Sequence, residues 1–241
     1  MATKNADNFN NPIAVSNGGT GVASFTTYTP ICGGTSGTGA LQSIAAIGSS
    51  GDILTSAGSS SLPTFNTFNS MDLIQTQTVA TTANINFTSG ISSTYSSYMF
   101  LLSNIVMTIN NAQVYMRVST NGGSSYLSDG NYTAGSVSNT YNSTTTSVNA
   151  STAANQFSVL IGRKPGNTAP NSAVIFINNL GTNRRLIGWG MACGWDSVGT
   201  SFQAAQISMY RSVDETVNAV RFTTSSSTYQ TATISFYGIK G

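Results

Sequence analysis

The sequence predicts an all-β protein, and three observations support this fold class. From about Met71 onward, short apolar runs recur at regular intervals along the chain. Gly, Asn, Ser and Thr separate these runs, and such residues favour tight turns between antiparallel strands. No segment keeps helical spacing of apolar residues for more than about two turns.

The first part of the chain is rich in glycine and poor in charge. Residues 1–70 carry only Lys4, Asp7 and Asp52 as charged side chains, and their large apolar residues are thinly spread. We predict an attachment segment over 1–11 and a glycine-rich shaft over 12–70. Within the shaft, the pattern predicts a short helix over 40–48 and a short strand over 51–58.

The shaft has too few apolar residues to form its own core. Taken alone, this composition is also typical of a flexible linker or a disordered arm. If the segment is ordered, the simplest explanation is that several copies of the chain pool their apolar residues around a common axis, where glycine allows close backbone approach. The sequence therefore predicts an intertwined homo-oligomeric shaft.

The remaining part, 71–241, is predicted to be a C-terminal domain of antiparallel strands. Eight to ten strands in a segment of this size fit a β-sandwich that resembles a jelly roll. The predicted strands cover residues 71–79, 83–87, 97–109, 112–120, 156–163, 172–180, 184–195, 202–212, 217–224 and 231–240.

Composition argues against several classes of function. The chain has no histidine, which removes the commonest general base and His-based metal sites. The adjacent acids Asp214 and Glu215 are best interpreted as solvated turn residues. We therefore expect no enzyme activity, no metal and no cofactor. A depolymerase is the alternative, since a glycosidase can work with a pair of carboxylates and no histidine.

Charge and hydropathy limit the partners and the compartment. The net charge of +2 is too small to suggest nucleic acid or an anionic membrane. The chain has no apolar run long enough for a transmembrane helix and begins with no signal peptide, so we expect synthesis in a cytoplasm. Cys32 and Cys193 are predicted to remain separate thiols.

The stretch 118–162 is the candidate recognition surface. It contains one charged residue, Asp129, and many Ser, Thr and Asn side chains. One interpretation is a long polar hairpin. The other is a surface for a neutral polysaccharide, in which Tyr126, Tyr132 and Tyr141 stack on sugar rings while polar side chains bind hydroxyls.

Both tryptophans lie in one short segment with glycines. Alternation places Trp189, Met191 and Cys193 on one face of a strand, with Trp195 following on that face. We expect core packing for this face. The alternative is that Trp195 and Asp196 emerge at one end of the sandwich and contribute to binding.

Several motifs resemble virion fibre proteins of phages and some large viruses. "VSNGGTGVAS" is similar to a GGTG element of tail-fibre shafts and collars, and the run from Gly18 to Phe65 is similar to a longer fibre module. "ISSTYSSYMFLLSNI", "MRVSTNGGSSY" and the final "ISFYGIKG" resemble a phage structural domain that follows this module.

The resemblance implies a homotrimeric virion fibre that attaches to other virion proteins through its N-terminus and contacts the host through its C-terminal tip. A tail fibre, a baseplate spike and a capsid-surface fibre all remain open. The alternative function is a capsid or tail decoration fibre without a specific receptor.

Overall fold

The structure of the protein is a computed structural model, and it describes residues 19–34, 36, 39–67, 70–109, 112–140, 146–160, 170–195, 202–225 and 228–240. Within these ranges the chain forms eighteen strands and no helix, and all strand pairs are antiparallel. The predicted all-β class is therefore confirmed. The chain divides into two compact units, Met1–Asn69 and Ser70–Gly241.

The described part of the first unit consists of two short strand pairs. β1 (Ile31–Cys32) pairs with β2 (Gln42–Ser43), and β3 (Asp52–Thr55) pairs with β4 (Thr64–Thr67). The strand expected over 51–58 is present as β3. The helix predicted over 40–48 is wrong, because Gln42 and Ser43 pair across to β1 instead of forming local i to i+4 contacts.

The second unit contains fourteen strands. Their bounds are β5 (Met71–Val79), β6 (Asn84–Phe87), β7 (Ser97–Met107), β8 (Val114–Ser119), β9 (Tyr132–Thr140), β10 (Thr146–Ala154), β11 (Phe157–Leu160), β12 (Asn171–Asn178), β13 (Asn183–Arg184), β14 (Ile187–Trp195), β15 (Phe202–Arg211), β16 (Glu215–Thr216), β17 (Ala219–Thr224) and β18 (Tyr229–Ile239). An eight-stranded sheet has the order β10-β9-β15-β14-β12-β7-β18-β5, and a four-stranded sheet has the order β11-β8-β17-β6. The small pair β13–β16 lies outside both sheets.

Aromatic rings join the two sheets in one core. Phe87 and Phe222 of the four-stranded sheet meet Phe100 of the eight-stranded sheet, with ring centroids 5.4 Å and 5.1 Å apart. Phe100 stacks on Phe236 of the neighbouring strand at 4.5 Å. All four side chains are fully buried, so this cluster anchors the packing of one sheet on the other.

Strand β14 places its small residues inside and its large residues outside. Gly188, Gly190 and Ala192 are buried, whereas Trp189 and Met191 are 53% and 57% exposed. A Cβ atom on Gly190 would lie 2.3 Å from the carbonyl oxygen of Val174, so the inner side accepts no larger residue there. The predicted shared face of the strand is confirmed, but the expected core packing of Trp189 is wrong.

The stretch 118–162 contains β9 and β10, which the sequence pattern did not identify, and β11, which lies within the strand predicted over 156–163. β9 and β10 form an antiparallel hairpin at one edge of the eight-stranded sheet, and β11 lies at the edge of the four-stranded sheet. The turn after β8 contains Gly122 and Gly123, which both have positive φ, a backbone conformation that glycine adopts without strain. The polar-hairpin interpretation therefore describes the backbone, while a recognition role stays a proposal.

Candidate binding groove

A groove of about 690 Å³ is lined by residues on or beside β8, β9, β10, β11 and β15. Serines line its floor and walls from several strands, among them Ser136 and Ser138 of β9 and Ser147 of β10. No charged residue lines the groove among the described residues. Its other lining residues are Gln113, Tyr115, Ala134, Gly135, Asn149, Ala150, Ser151, Ala154, Asn155, Gln156, Ser158 and Gln203.

Some of the amide groups in the groove are held by neighbours. The Tyr115 hydroxyl donates to the Gln113 side chain, and Gln156 Oε1 accepts from Arg117 Nε at 2.9 Å. Gln203 Nε2 donates to Thr140 Oγ1 at 3.2 Å. These contacts fix polar side chains around an open space, which suits a ligand with many uncharged hydroxyl groups.

Tyr132 is not part of an accessible surface, which corrects its predicted role as a sugar platform. Its side chain is fully buried, and its hydroxyl donates to the carbonyl of Leu127 at 3.1 Å and accepts from the amide of Val118 at 3.2 Å. The Arg211 guanidinium lies 4.6 Å from the ring centroid. Inward alternation along β9 accounts for the burial, since Tyr132 and Ala134 share the inner face.

Tyr126 is half-buried and lies outside the groove. The guanidinium carbon of Arg221 lies 3.9 Å from its ring centroid, so one face of the ring is already covered. Burial raises the pKa of the Tyr126 hydroxyl, and the Arg221 charge offsets part of that increase.

Trp195 ends β14 and is also half-buried. Its ring meets Phe202 edge-on at 6.4 Å, and its backbone amide donates to Asn171 Oδ1 at 3.2 Å. Tyr141 and Asp196 lie outside the described residues. The five predicted site residues are therefore not brought together as one site within the described part of the chain.

Tyr115 is the aromatic residue that the sequence interpretation missed. It lies on β8 between the buried residues Val114 and Met116, so alternation alone places it on the opposite face together with Arg117. Tyr115 precedes the low-charge stretch 118–162, so low charge alone does not mark it. The alternation of buried and outward-facing residues along β8 would have identified Tyr115 as a surface residue.

The outer face of the eight-stranded sheet is a second candidate surface. Ile187, Trp189 and Met191 project from β14, and Trp189 stacks on Phe176 of β12 at 4.5 Å. A hollow of about 520 Å³ on this face includes Leu101 and Met191 in its lining. A large exposed apolar area of this kind is typical of a protein–protein contact.

Other kinds of site find no support in the described residues. Nowhere in them do three Cys, Asp or Glu side chains group as metal ligands, and none of their segments is a helix that could span a membrane. No family model matches this chain, and no curated protein or solved structure is significantly similar to it.

Proposed function

We propose that the chain is a virion fibre protein that forms a homotrimer and adheres to a neutral glycan on the host surface. In this proposal residues 1–11 attach to other virion proteins, the segment 12–70 is an intertwined shaft, and 71–241 is a jelly-roll-like tip. The motif resemblance to fibre proteins suggests the class, and the uncharged groove is the observation that carries the binding role.

The groove chemistry favours a neutral saccharide over other ligands. Its polar groups are hydroxyls and amides from Ser, Asn and Gln side chains, which donate to and accept from sugar hydroxyls. Tyr115 supplies a flat ring at the same place, and stacking on a ring contributes about 1 kcal/mol. Three copies on one fibre would add avidity to such a weak individual site.

Self-association is supported by apolar surface in both units. In the described part of the first unit, Ile44 is the one buried large apolar side chain, whereas Ile31, Ile53 and Leu54 remain exposed in the single chain. On the second unit, Leu101, Ile187, Trp189 and Met191 are exposed on the outer face of the eight-stranded sheet, and exposed apolar side chains grouped in this way are typical of a protein–protein contact. A second copy of the chain is the occupant that suits this neutral face.

Two substitutions on the same strand test the binding role. Ser147 and Val148 are neighbours on β10, but Ser147 lines the groove and Val148 is on the opposite face, paired with Val137. We expect Ser147→Trp to fill the groove and reduce binding to a neutral glycan array more than tenfold. The matched control Val148→Trp should bind as the unmodified protein does, and light scattering should show that its assembled mass is unchanged.

Two outcomes would contradict the binding role. If the unmodified protein binds no glycan on the array and adsorbs to no cell, a decoration fibre without a receptor becomes the better assignment. If Ser147→Trp and Val148→Trp bind equally well, the groove is not the recognition site.

A further inference from the structure

Two arginines lie directly opposite each other on the outer face of the four-stranded sheet. Arg117 of β8 and Arg221 of β17 are register partners, so their Cβ atoms are about 5 Å apart. Like charges in directly opposite positions destabilise a sheet. In a chain with only nine Lys and Arg residues, this placement calls for a reason other than solubility.

The acids of the described chain do not neutralise this pair. The four ion pairs among the described residues involve Arg185, Arg211 and Lys240, and they engage every described acid of the second unit. Neither Arg117 nor Arg221 belongs to any of them. The positive charge of the pair therefore lacks a carboxylate partner within the described residues.

Uncharged neighbours hold both guanidinium groups in place. Arg117 Nε donates to Gln156 Oε1 at 2.9 Å, and Arg221 Nε donates to Asn86 Oδ1 at 2.7 Å. The ring of Tyr126 supports the Arg221 guanidinium. Because both hydrogen bonds use Nε, each guanidinium keeps Nη N–H groups that can meet a ligand, apart from the contact of Arg221 with the Tyr126 hydroxyl.

A small pocket of about 250 Å³ opens beside the two arginines. Thr223 and Asn84 line its other side with a hydroxyl and an amide. Tyr115 and Gln156 line both this pocket and the neutral groove, so the two spaces share a wall. A saccharide that extends from the groove into this pocket would place a substituent next to the arginines.

We propose that the Arg117–Arg221 pocket binds an anionic oxygen group, a carboxylate or a phosphate ester, carried by a saccharide. Guanidinium groups recognise both kinds of group through paired N–H···O bonds. The anion site rests on the arginine pair alone, while the saccharide as its carrier rests on the proposed function. The preferred glycan would then be neutral along most of its length with an acidic substituent at intervals.

The test titrates the full-length protein with small probes at low ionic strength. Calorimetry with methyl glucuronide and glucose 6-phosphate compares a carboxylate with a phosphate ester on a sugar. Inorganic phosphate tests whether the sugar is needed, and methyl glucoside is the neutral probe. We expect Arg117→Gln and Arg221→Gln each to weaken binding of the preferred anionic sugar at least tenfold. Arg117→Lys, which keeps the charge but loses the paired geometry, should give an intermediate loss.

Arg184→Gln is the matched control, because Arg184 is exposed on β13 and takes no part in the described ion pairs. It should leave the affinity unchanged, and thermal melting should show that all variants remain folded. Absence of anionic-sugar binding, or an equal loss with Arg184→Gln, would overturn the anion site. Anionic-sugar binding without adsorption to any host glycan would leave the site intact and count against the proposed function instead.

Discussion

At the residue scale, Arg211 is the one charged side chain that is buried among the described residues. Its guanidinium forms a paired contact with Asp129, with Nη1–Oδ1 and Nη2–Oδ2 distances of 2.8 Å and 2.6 Å, and it also contacts Glu215. These bonds connect the loop before β9 to the end of β15 above the ring of Tyr132. Removing one partner leaves a buried charge with less compensation.

We expect Asp129→Asn to lower the free energy of unfolding by about 2 kcal/mol. This is less than for a fully buried ion pair, because the Asp129 side chain is 38% exposed and water screens part of the attraction. Urea denaturation measures the change. Asp214→Asn is the control, since Asp214 pairs with Arg185 at 3.7 Å in an exposed position, and it should not move the midpoint. Equal effects of the two substitutions would show that the ion pairs of Arg211 contribute no more to stability than the exposed Arg185–Asp214 pair does.

Acid should act through the same carboxylate. Hydrogen bonds from Arg211 hold the pKa of Asp129 well below its ordinary value. Because the pKa in the folded state is depressed, the contribution to stability is complete above the unfolded pKa of about 3.9 and is lost as pH falls below it. We expect the urea midpoints of the unmodified protein and of Asp129→Asn to converge as the pH falls from 5 to 2.5. A difference between the two midpoints that stays constant over this pH range would contradict the linkage.

At the element scale, β14 depends on glycine to lie close to β12. A Cβ on Gly190 would meet the backbone of Val174 at 2.3 Å and that of Ile175 at 3.2 Å, and backbone atoms have little room to move. We expect Gly190→Ala to lower the free energy of unfolding by about 2 kcal/mol through overpacking. Thermal or urea denaturation provides the measurement.

Gly135→Ala in β9 is the matched control for that experiment. Its added Cβ would meet Ser208 Oγ at 2.9 Å, and a serine side chain can rotate away. Ala is also the better residue in a strand interior, so this variant should be neutral or slightly more stable. A loss of stability as large as that of Gly190→Ala would mean that close strand approach is not the cause.

Alternation predicted strands well where large residues face the core. The bounds of β5 agree with the pattern, and the strand from Val220 to Phe222 faces inward as expected. The pattern failed for β9 and β10, because serine, asparagine and threonine on both faces leave no apolar period to detect. It also gave the wrong side for Trp189, since periodicity defines a face but not which face meets the core.

The candidate site was predictable in its chemistry but not in its residues. The low-charge stretch 118–162 contains β9 and β10, whose residues supply much of the groove lining. Gln113 and Tyr115 lie just before this stretch, whereas Gln203 comes from a distant segment. The pairing of β11 with β8 and of β15 with β9 brings their strands to the groove. Long-range register of this kind cannot be obtained from local spacing.

At the scale of the whole molecule, one chain leaves apolar side chains exposed that would be buried in an assembly. On the outer face of the eight-stranded sheet, Trp189, Met191 and Ile187 are each about half exposed, and Leu73 of β5, the strand at one edge of this sheet, is 58% exposed. This face lacks a described covering element, since the four-stranded sheet packs on the opposite side through Phe87. The trimer proposal assigns these residues to contacts between copies.

We expect light scattering of the full-length protein to give three times the chain mass of 25.0 kDa. Trp189→Glu combined with Met191→Glu should shift the mass toward a single chain, because two charges would then be buried without partners in the contact. Circular dichroism should retain its β signal, since both residues lie outside the core of the chain.

Thr120→Glu combined with Ser124→Glu adds the same charge at exposed positions near the turn after β8 and should leave the trimer mass unchanged. A trimer that survives the Trp189 and Met191 changes would locate the contacts elsewhere in the chain, and a monomeric unmodified protein would contradict the fibre proposal as a whole.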